Sequence, residues 1–258
     1  MAPKRKRTSG TTYQVFLSFR GPDTRQGFTD VLYWALTEAG IRVFRDNEDI
    51  RDGEDIGEEI LTAIEESRIF VPIFSTNYAS SKWCLIELAK MFKSKEASIG
   101  KKTILPIFYD VGVDDVMLKT KLYTRALSKH RKNFSTDIVH QWKEALRDAG
   151  KIKGWELKDT GLDLSRTGIT ELPDTIVNIK KLAMLDLLET RIIELAQRIG
   201  RLVKLEVLNL GRCGGLKKLS DSLGNLRSLA ELDLSCTRIT ELPDSIGNLE
   251  KVKVIRMT

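Results

Sequence analysis

The sequence predicts an α/β protein in which a parallel sheet, covered by helices on both faces, is followed by a solenoid of short repeats. Through residue 158, near-continuous apolar segments alternate with amphipathic ones, as in parallel strands joined by helices. After that point a repeat of about 23 residues takes over, which is the period of a stacked solenoid. We therefore expect two structural units in this chain of 258 residues.

Five segments have the composition of buried strands. Each is short and rich in Val, Ile or Phe, and polar or glycine-containing segments bound most of them. They are YQVFLSF (13–19), IRVF (41–44), RIFVPIFS (68–75), KTILPIFYD (102–110) and KGWEL (153–157). Pro72 and Pro106 fall inside two of these segments. We expect each proline to lie at a sheet edge or where its backbone N–H is not needed.

Helical periodicity fills the spaces between the strands. Apolar side chains recur at helical spacing in several segments, and Ser80 and Ser81 are N-cap candidates for one of them. The predicted helices are 23–40, 56–67, a helix that begins near Lys82, and 139–150.

The second region consists of four similar units. They begin at Leu162, Leu185, Leu208 and Leu232. Each opens with an LxL pattern, which turns two leucines inward on a short strand and leaves the residue between them outside. This pattern and its period indicate leucine-rich repeats. The outward residues form an acidic row, which suits a basic partner or is simply a solvated concave face; they are Asp163, Asp186, Asn209 and Asp233.

We divide the chain into a basic tail (1–12), a sheet domain (13–158) and the repeats (159–258). The boundary segment ELKDTG (156–161) is too short for a flexible linker, so we expect the repeats to pack close to the sheet domain. We also expect the sheet domain to fold when residues 162–258 are deleted.

Composition excludes several classes of protein. No apolar segment approaches the roughly 20 residues of a membrane helix, and no apolar stretch follows the basic N-terminus as in a secretory signal. The three cysteines are widely spaced, which indicates reduced thiols in the cytoplasm or nucleus. We expect no metal site, because no Cys/His cluster is present. There is also no GxxxxGK[ST] pattern, which excludes a P-loop nucleotide site.

The net charge of +6 is concentrated in part at PKRKR (3–7). This segment is a solvated tail, a nuclear address, or an arm that binds the phosphates of DNA or RNA.

Three loops should converge at one end of the sheet, because ligands of open parallel sheets bind beyond the carboxyl ends of the strands. Two arginines and an aromatic plane suit a ligand with phosphates and a base, and a carboxylate suits a ribose diol or a developing cation. The candidate residues are Arg20, Arg25, Asp46, Arg51, Ser75, Ser81, Trp83 and Glu87.

Glu87 interrupts an apolar run in the segment SSKWCLIEL (80–88). It borders the apolar stripe of a helix and lies within the first two turns, where the helix dipole favours a negative charge. The residue is either a half-buried reagent that faces the cleft or an ordinary surface glutamate. Arg20 has a similar alternative as an ion-pair partner of Asp23, and Trp83 and Cys84 as core residues.

Six segments, taken in order, resemble the TIR domains of plant intracellular immune receptors. They are YQVFLSFRGPDTR, FRDNEDIRDGEDI, AIEESR, FSTNYASSKWCLIEL, ILPIFYDV and WKEALRDAGKIKGWEL. The resemblance covers about residues 13–158 and implies a flavodoxin-like sheet of strand order 2-1-3-4-5. It also implies hydrolysis of NAD⁺ on self-association, with NAD⁺ as a substrate and no bound cofactor. No segment resembles the nucleotide-binding (NB-ARC) switch module of such receptors, so we expect no control by ATP/ADP exchange.

The resemblance assigns roles to particular residues. The glutamate of its WCLxEL motif falls on Glu87 and is the catalytic carboxylate. Phe19, Arg20 and Gly21 line the nucleotide site, and Trp83 lies beside it. The loop 46–55 matches a mobile loop that gates the site.

Three functions stay open from the sequence. The first is NAD⁺ hydrolysis, whose product downstream immune proteins would read. The second is cleavage of bound nucleic acid to 2′,3′-cyclic nucleotides, and the third is a non-catalytic TIR–TIR adaptor. We expect self-association, no membrane partner, and a location in the cytoplasm or also in the nucleus.

Overall fold

A computed structural model of the chain describes residues 13–45, 58–157, 161–179 and 181–257. In this part of the chain the first sheet has strands β1 (Val15–Phe19), β2 (Val43–Arg45), β3 (Ile69–Phe74), β4 (Thr103–Ile104), β5 (Ile107–Tyr109) and β6 (Trp155–Leu157). All its pairs are parallel, in the order β2-β1-β3-β5-β6, with β4 also on β3. Because β4 and β5 are two halves of one predicted strand, the order 2-1-3-4-5 of a flavodoxin-like sheet is confirmed.

The two prolines explain why the predicted strand 102–110 is split. The pairs Phe70–Ile104 and Ile73–Ile107 flank a gap in the ladder, and both Pro72 and Pro106 lie within it. Neither proline can donate a backbone hydrogen bond. Pro72 therefore lies in a central strand, at a position where its missing N–H leaves no broken ladder contact.

Seven helices occur in the described residues: α1 (Gly21–Thr24), α2 (Asp30–Glu38), α3 (Glu58–Glu66), α4 (Lys82–Ala97), α5 (Val113–Val116), α6 (Lys121–His130) and α7 (Thr136–Lys151). The prediction of one helix over 23–40 is wrong, because residues 25–29 form an irregular turn between α1 and α2. Gln26 and Gly27 have non-helical backbone there, with φ −168° and ψ −116° at Gly27. Helices α5 and α6 were not predicted from the sequence. In α6 only Tyr123 and Leu127 are buried, so its apolar stripe is narrow.

The two faces of the first sheet have different side chains and different covers. Phenylalanines face α3, α4, α6 and α7; they are Phe16, Phe44, Phe70, Phe74 and Phe108. Aliphatic residues face the other way, among them Val15, Leu17, Val71, Ile73 and Ile107. Helix α2 packs on this second face, and the aliphatic residues form one continuous hydrophobic cluster with the leucines of the repeats.

The repeats form a second parallel sheet of strands β7 (Gly161–Asp163), β8 (Met184–Asp186), β9 (Val207–Asn209), β10 (Glu231–Asp233) and β11 (Val254–Arg256). We number the repeats as first (162–184), second (185–207), third (208–231) and fourth (232–254). After each of the first four of these strands the chain crosses to a short 3-10 turn on the opposite side.

The acidic row of the repeats has a structural role. Each of its side chains accepts a hydrogen bond from the backbone N–H two residues later, at 2.8 to 3.0 Å. Hydrogen bonds from the side chain of Ser165 and from its backbone N–H together lower the pKa of the Asp163 carboxyl group. Such a bond holds a tight turn. The turn leads to a left-handed residue in each repeat, namely Arg166, Glu189, Arg212 and Cys236.

Polar contacts join the first repeat to the sheet domain. Asp30 of α2 accepts a hydrogen bond from Arg45 Nη1 at 2.5 Å and another from Thr175 Oγ1. Lys181 Nζ lies 3.1 Å from Asp110 Oδ2. The backbone of Gly27 passes close to Asn178, since a Cβ on Gly27 would lie 3.8 Å from the Asn178 carbonyl oxygen. The first repeat is thus attached at several points, as the short boundary segment predicts.

No helix in these described ranges is both long and apolar enough to cross a bilayer.

The shared cluster changes the expected result of deleting the repeats. In a chain that ends at Leu157, the aliphatic face of the sheet would lose part of its cover, and each large apolar side chain exposed costs about 1.5–3 kcal/mol. Several such losses approach the whole stability of a typical domain, about 5–15 kcal/mol. We therefore predict that the truncated chain shows no cooperative unfolding transition in urea when followed by circular dichroism.

A chain that ends at Glu231 is the control, because it lacks only the fourth repeat and the residues after it and keeps the contacts at Thr175 and Lys181. It should retain the transition of the sheet domain. If the chain ending at Leu157 unfolds cooperatively with the stability of the full chain, the shared cluster is not needed for folding.

Candidate functional site around Glu87

Glu87 lies on the inner side of α4. The helix begins at Lys82 with Ser81 as N-cap, whose Oγ accepts a hydrogen bond from the backbone N–H of Cys84 at 3.3 Å. From that start, Leu85 and Leu88 are fully buried, and the Glu87 side chain turns inward with them. Glu87 as a whole is only 7% exposed, so it is not an ordinary surface glutamate.

Ser18 of β1 holds the buried carboxylate. Its hydroxyl donates to Glu87 Oε2 at 2.6 Å. Ser18 is the last residue but one of β1, so the contact fixes Glu87 near the carboxyl end of that strand. The serine therefore holds the buried carboxyl group in a fixed orientation.

Tyr78 extends this contact into a short network. Its hydroxyl lies 2.8 Å from Ser18 Oγ and 3.1 Å from the carbonyl oxygen of Cys84. Burial raises the pKa of Tyr78 well above its ordinary value, and the nearby Cys84 and Glu87 raise it further. Tyr78 thus keeps its proton and can donate it to Ser18 Oγ or to the carbonyl oxygen of Cys84. Ser18 in turn donates its own proton to Glu87.

Asp23 ties the segment after β1 to the segment after β3. It accepts hydrogen bonds from Ser75 Oγ at 2.6 Å and from the backbone N–H of Asn77 at 3.0 Å. It also pairs with Arg20 at 3.4 Å, which is the ion pair that the sequence offers as an alternative role for Arg20. Ser75 is nearly fully buried, and Tyr123 Oη donates to its carbonyl oxygen at 2.6 Å. Ser75 and Asp23 therefore brace the loops.

Two buried donors next to the start of α4 have no hydrogen-bond acceptor among the residues that the structure describes. They are Arg20 Nε and Trp83 Nε1. The carbonyl oxygen of Phe19 lies 3.4 Å from Cys84 Sγ, so the segment that carries Arg20 packs on the turn that carries Trp83. A buried donor without an acceptor costs about 1–3 kcal/mol. Two such donors suit an oxygen-rich ligand.

A cavity of about 670 Å³ opens at the same end of the sheet. The first repeat forms one of its walls through Asn178 and Lys181. On the other walls are Gly21, Pro22, Asp23, Arg25, Gln26, Gly27, Phe28, Thr76, Asn77, Tyr109 and Asp110. The predicted residues therefore fall into two neighbouring groups. Gly21 and Arg25 line the cavity, whereas Glu87, Trp83 and Arg20 do not.

The remaining predicted residues have the following places. Gly21 begins α1, and a Cβ there would lie 3.0 Å from Arg25 Nε. The Arg25 guanidinium lies over the Phe19 ring, 5.2 Å from its centre. Asp46 and Arg51, like the loop 46–55 and the PKRKR segment, lie outside the described residues. Within those described, no group of three or more His, Cys, Asp or Glu side chains could hold a metal ion.

Comparison with known families assigns this architecture. The TIR domain family model matches residues 12–182, which is more than half of the chain. This chain belongs to the TIR-domain family. The leucine-rich repeat model matches residues 228–249, in agreement with the solenoid.

Relatives of this TIR protein include plant disease-resistance proteins. Disease resistance protein RPV1 of Vitis rotundifolia is 43% identical over 176 residues, which cover 68% of this chain and 12% of that protein. TMV resistance protein N of Nicotiana glutinosa is 40% identical over 149 residues, covering 57% of this chain and 13% of that protein. The chain is thus homologous to plant TIR disease-resistance proteins but spans only a small part of their length.

A solved structure supports the same assignment. The TIR domains in the activated Roq1 resistosome, which directly recognises the pathogen effector XopQ, are 41% identical to this chain with a TM-score of 0.50. The match covers 56% of this chain and 87% of that one. It confirms the TIR fold of the first region.

Ser18, Tyr78 and the bracing role of Asp23 were not predicted from the sequence. A signal for Ser18 was present, because it is the one polar residue in the buried strand VFLSF, just as Glu87 is in the apolar run 83–89 of its helix. A polar residue in an apolar strand and another in an apolar helix are candidates for a mutual contact, since buried polar groups are nearly always hydrogen-bonded.

Replacement of Ser18 should test whether the carboxylate depends on it. In Ser18→Ala, Glu87 loses its donor, so we predict a fall of about 1–3 kcal/mol in the free energy of unfolding, measured in urea. Ser67→Ala is a matched control, because Ser67 is equally buried and its hydroxyl has no partner among the described residues. It should cause no loss of stability, because it removes a buried hydroxyl that has no partner there. Equal losses in both variants would assign the effect to packing.

Thiol reactivity should report whether the region around Glu87 is closed. Burial raises the pKa of Cys84 far above its ordinary range, and the Glu87 carboxylate adds to the shift. The fold therefore favours the protonated thiol; its stabilising effect is present below about pH 8.5 and declines as the pH rises further. With iodoacetamide at pH 8 we predict alkylation of the exposed Cys236 and none of Cys84 until urea is added, as measured by peptide mass spectrometry. Alkylation of both at one rate would show an open site.

Proposed function

We propose that this TIR protein hydrolyses NAD⁺ to nicotinamide and ADP-ribose, or a cyclised form of it, with Glu87 as the catalytic carboxylate. The main support is the Ser18-bound carboxylate, buried near the carboxyl end of a central parallel strand. A protein that served only as a scaffold would gain nothing from a charged group in this place, because burying a carboxylate costs free energy.

The chemistry needs a negative charge that is held in position. When the glycosidic bond between the ribose and nicotinamide breaks, its electron pair leaves with the nicotinamide nitrogen. Positive charge then develops at the anomeric carbon, and a fixed carboxylate stabilises that charge or holds the ribose hydroxyls. Water adds to the anomeric carbon and loses a proton, which gives ADP-ribose. Ser18 keeps the carboxylate oriented through these steps.

Other residues bind the substrate or position the groups that do. Arg20 and Trp83 bring buried donors to this end of the sheet, where phosphate or ribose oxygens would accept from them. Phe19 at the end of β1 and Gly21 at the start of α1 lie on either side of Arg20 in the chain. Asp46 and Arg51 belong to the proposed gating loop. Ser75 acts through Asp23 and Ser81 through the start of α4, so both are positioning residues.

Activity should depend on self-association. The related Roq1 TIR domains were solved within an assembled resistosome, and we propose that this chain acts in the same way. Its small-molecule product would then start defence signalling through downstream immune proteins inside the cell.

Substitution of Glu87 tests the proposal. Glu87→Gln keeps the shape and removes the charge, so we predict a fall of about 10²–10³-fold in nicotinamide release at high protein concentration. Glu96→Gln is the control, since Glu96 lies on the same helix and is exposed; it should leave the rate unchanged. Release at the wild-type rate by a folded Glu87→Gln variant would remove the assignment and leave the adaptor function. Formation of 2′,3′-cyclic nucleotides from added RNA, with no release of nicotinamide, would favour the nuclease function.

A further inference from the structure

A basic groove lies on the repeats, on the side of the 3-10 turns. It has a volume of about 820 Å³ and runs between the turn of the second repeat and that of the third. Four cationic side chains line it, with no acidic one; the full lining is Gln197, Arg198, Gly200, Arg201, Val203, Lys204, Ser222, Asn225 and Arg227. All four cations are exposed.

The two turns are in close contact at Gly200. A Cβ at this position would lie 2.1 Å from the carbonyl oxygen of Ser222. Only a glycine lets the two backbones approach this far. The cations of the two repeats are thereby held on one continuous surface.

The second repeat departs from the others in this turn. The first, third and fourth repeats have an aspartate at its start, then Thr or Ser, and an asparagine near its end, as in PDTIVN (173–178), SDSLGN (220–225) and PDSIGN (243–248). The second repeat reads AQRIGR (196–201). It therefore replaces the aspartate by Gln197, the hydroxyl residue by Arg198 and the asparagine by Arg201.

Of these departures, Gln197 has a structural role, because its Oε1 accepts a hydrogen bond from Ser220 Oγ at 2.9 Å. Among the residues that the structure describes, the two arginines make no comparable contact in the turn. The 3-10 turn of the second repeat is reduced to Ile199–Arg201, whereas the others extend over five residues. Arg198 reaches Asp174 only at 3.9 Å. Arg201, Lys204 and Arg227 form no ion pair within the described part of the chain. Like charges grouped in this way repel one another until an anion binds.

We propose that this groove is a binding site for a compact ligand with two or more linked phosphate groups. Arginine guanidinium groups bind phosphate oxygens in a forked geometry, and Lys204 adds a mobile charge. The side chains of Gln197, Ser222 and Asn225 supply further donors. The turn of the second repeat is the one of the four without a carboxylate, since the corresponding segments carry Asp174, Asp221, and Asp244 with Glu250. Charges of both signs therefore alternate along the rest of this side of the solenoid. An extended nucleic-acid backbone would need the positive charge to continue along the solenoid, so the groove favours a short polyphosphate.

A double substitution that copies residues of the third repeat into the second tests this site. Arg198→Ser with Arg201→Asn gives the second repeat the residues of the third at these positions, so it should fold normally. Lys217→Ala with Lys218→Ala is the control, because it removes the same charge from exposed positions of the third repeat outside the groove. Binding of inorganic tripolyphosphate to the full chain is measured by calorimetry in 50 mM salt, after thermal unfolding confirms that both variants are folded.

We expect wild type to bind tripolyphosphate, the groove variant to bind at least about tenfold more weakly, and the control to stay within about twofold. Absence of binding by wild type, or equal weakening in both variants, would overturn the proposal. So would unchanged binding by the groove variant, which would place the anion elsewhere. A twelve-nucleotide single strand that binds wild type more tightly than tripolyphosphate, and is not displaced by it, would identify a nucleic-acid surface instead.

Discussion

The first sheet has two apolar faces, and the need to cover both of them shapes the whole molecule. Helices α3, α4, α6 and α7 cover the phenylalanine face. On the aliphatic face α2 is a single helix of nine residues, and the rest of the cluster is completed by the repeats. Since burial of apolar surface is the largest favourable contribution to folding, the solenoid is part of the core of this TIR protein. The hydrogen bonds of Asp30 and the Lys181–Asp110 pair fix its orientation.

Strand β1 connects this core to the chemistry. Its side chains alternate, so Leu17 and Phe19 face the aliphatic cluster while Ser18 between them reaches Glu87. Strand β1 therefore has two roles. It positions the carboxylate through Ser18, and its other face packs in the cluster shared with the repeats. Loss of packing on one face would shift Ser18 on the other, because neighbouring residues of a strand move together.

Patterns that depend on local composition were predictable, and those that depend on distant contacts were not. The five strands followed from their apolar runs, and the start of α4 followed from Ser81. The break at Gly27 could not be foreseen from local composition; in the structure it lies beside Asn178 of the first repeat. The Ser18–Glu87 hydrogen bond joins residues far apart in the chain. In the sequence each of the two therefore appears only as a polar residue without an evident partner. The cavity at the strand ends was expected, whereas the wall formed by Lys181 was not.

The turn-forming row of the repeats limits how this concave face can evolve. A side chain at Asp163 or its equivalents already uses one oxygen to hold the next turn, so only Asp and Asn can occupy the position without loss of that bond. The outward residue directly before the first leucine of each LxL pattern has no such role in holding the turn. It holds a different type of residue in almost every repeat, namely Gly161, Met184, Val207, Glu231 and Val254. Diversification toward new partners can therefore proceed through that column while the scaffold stays constant.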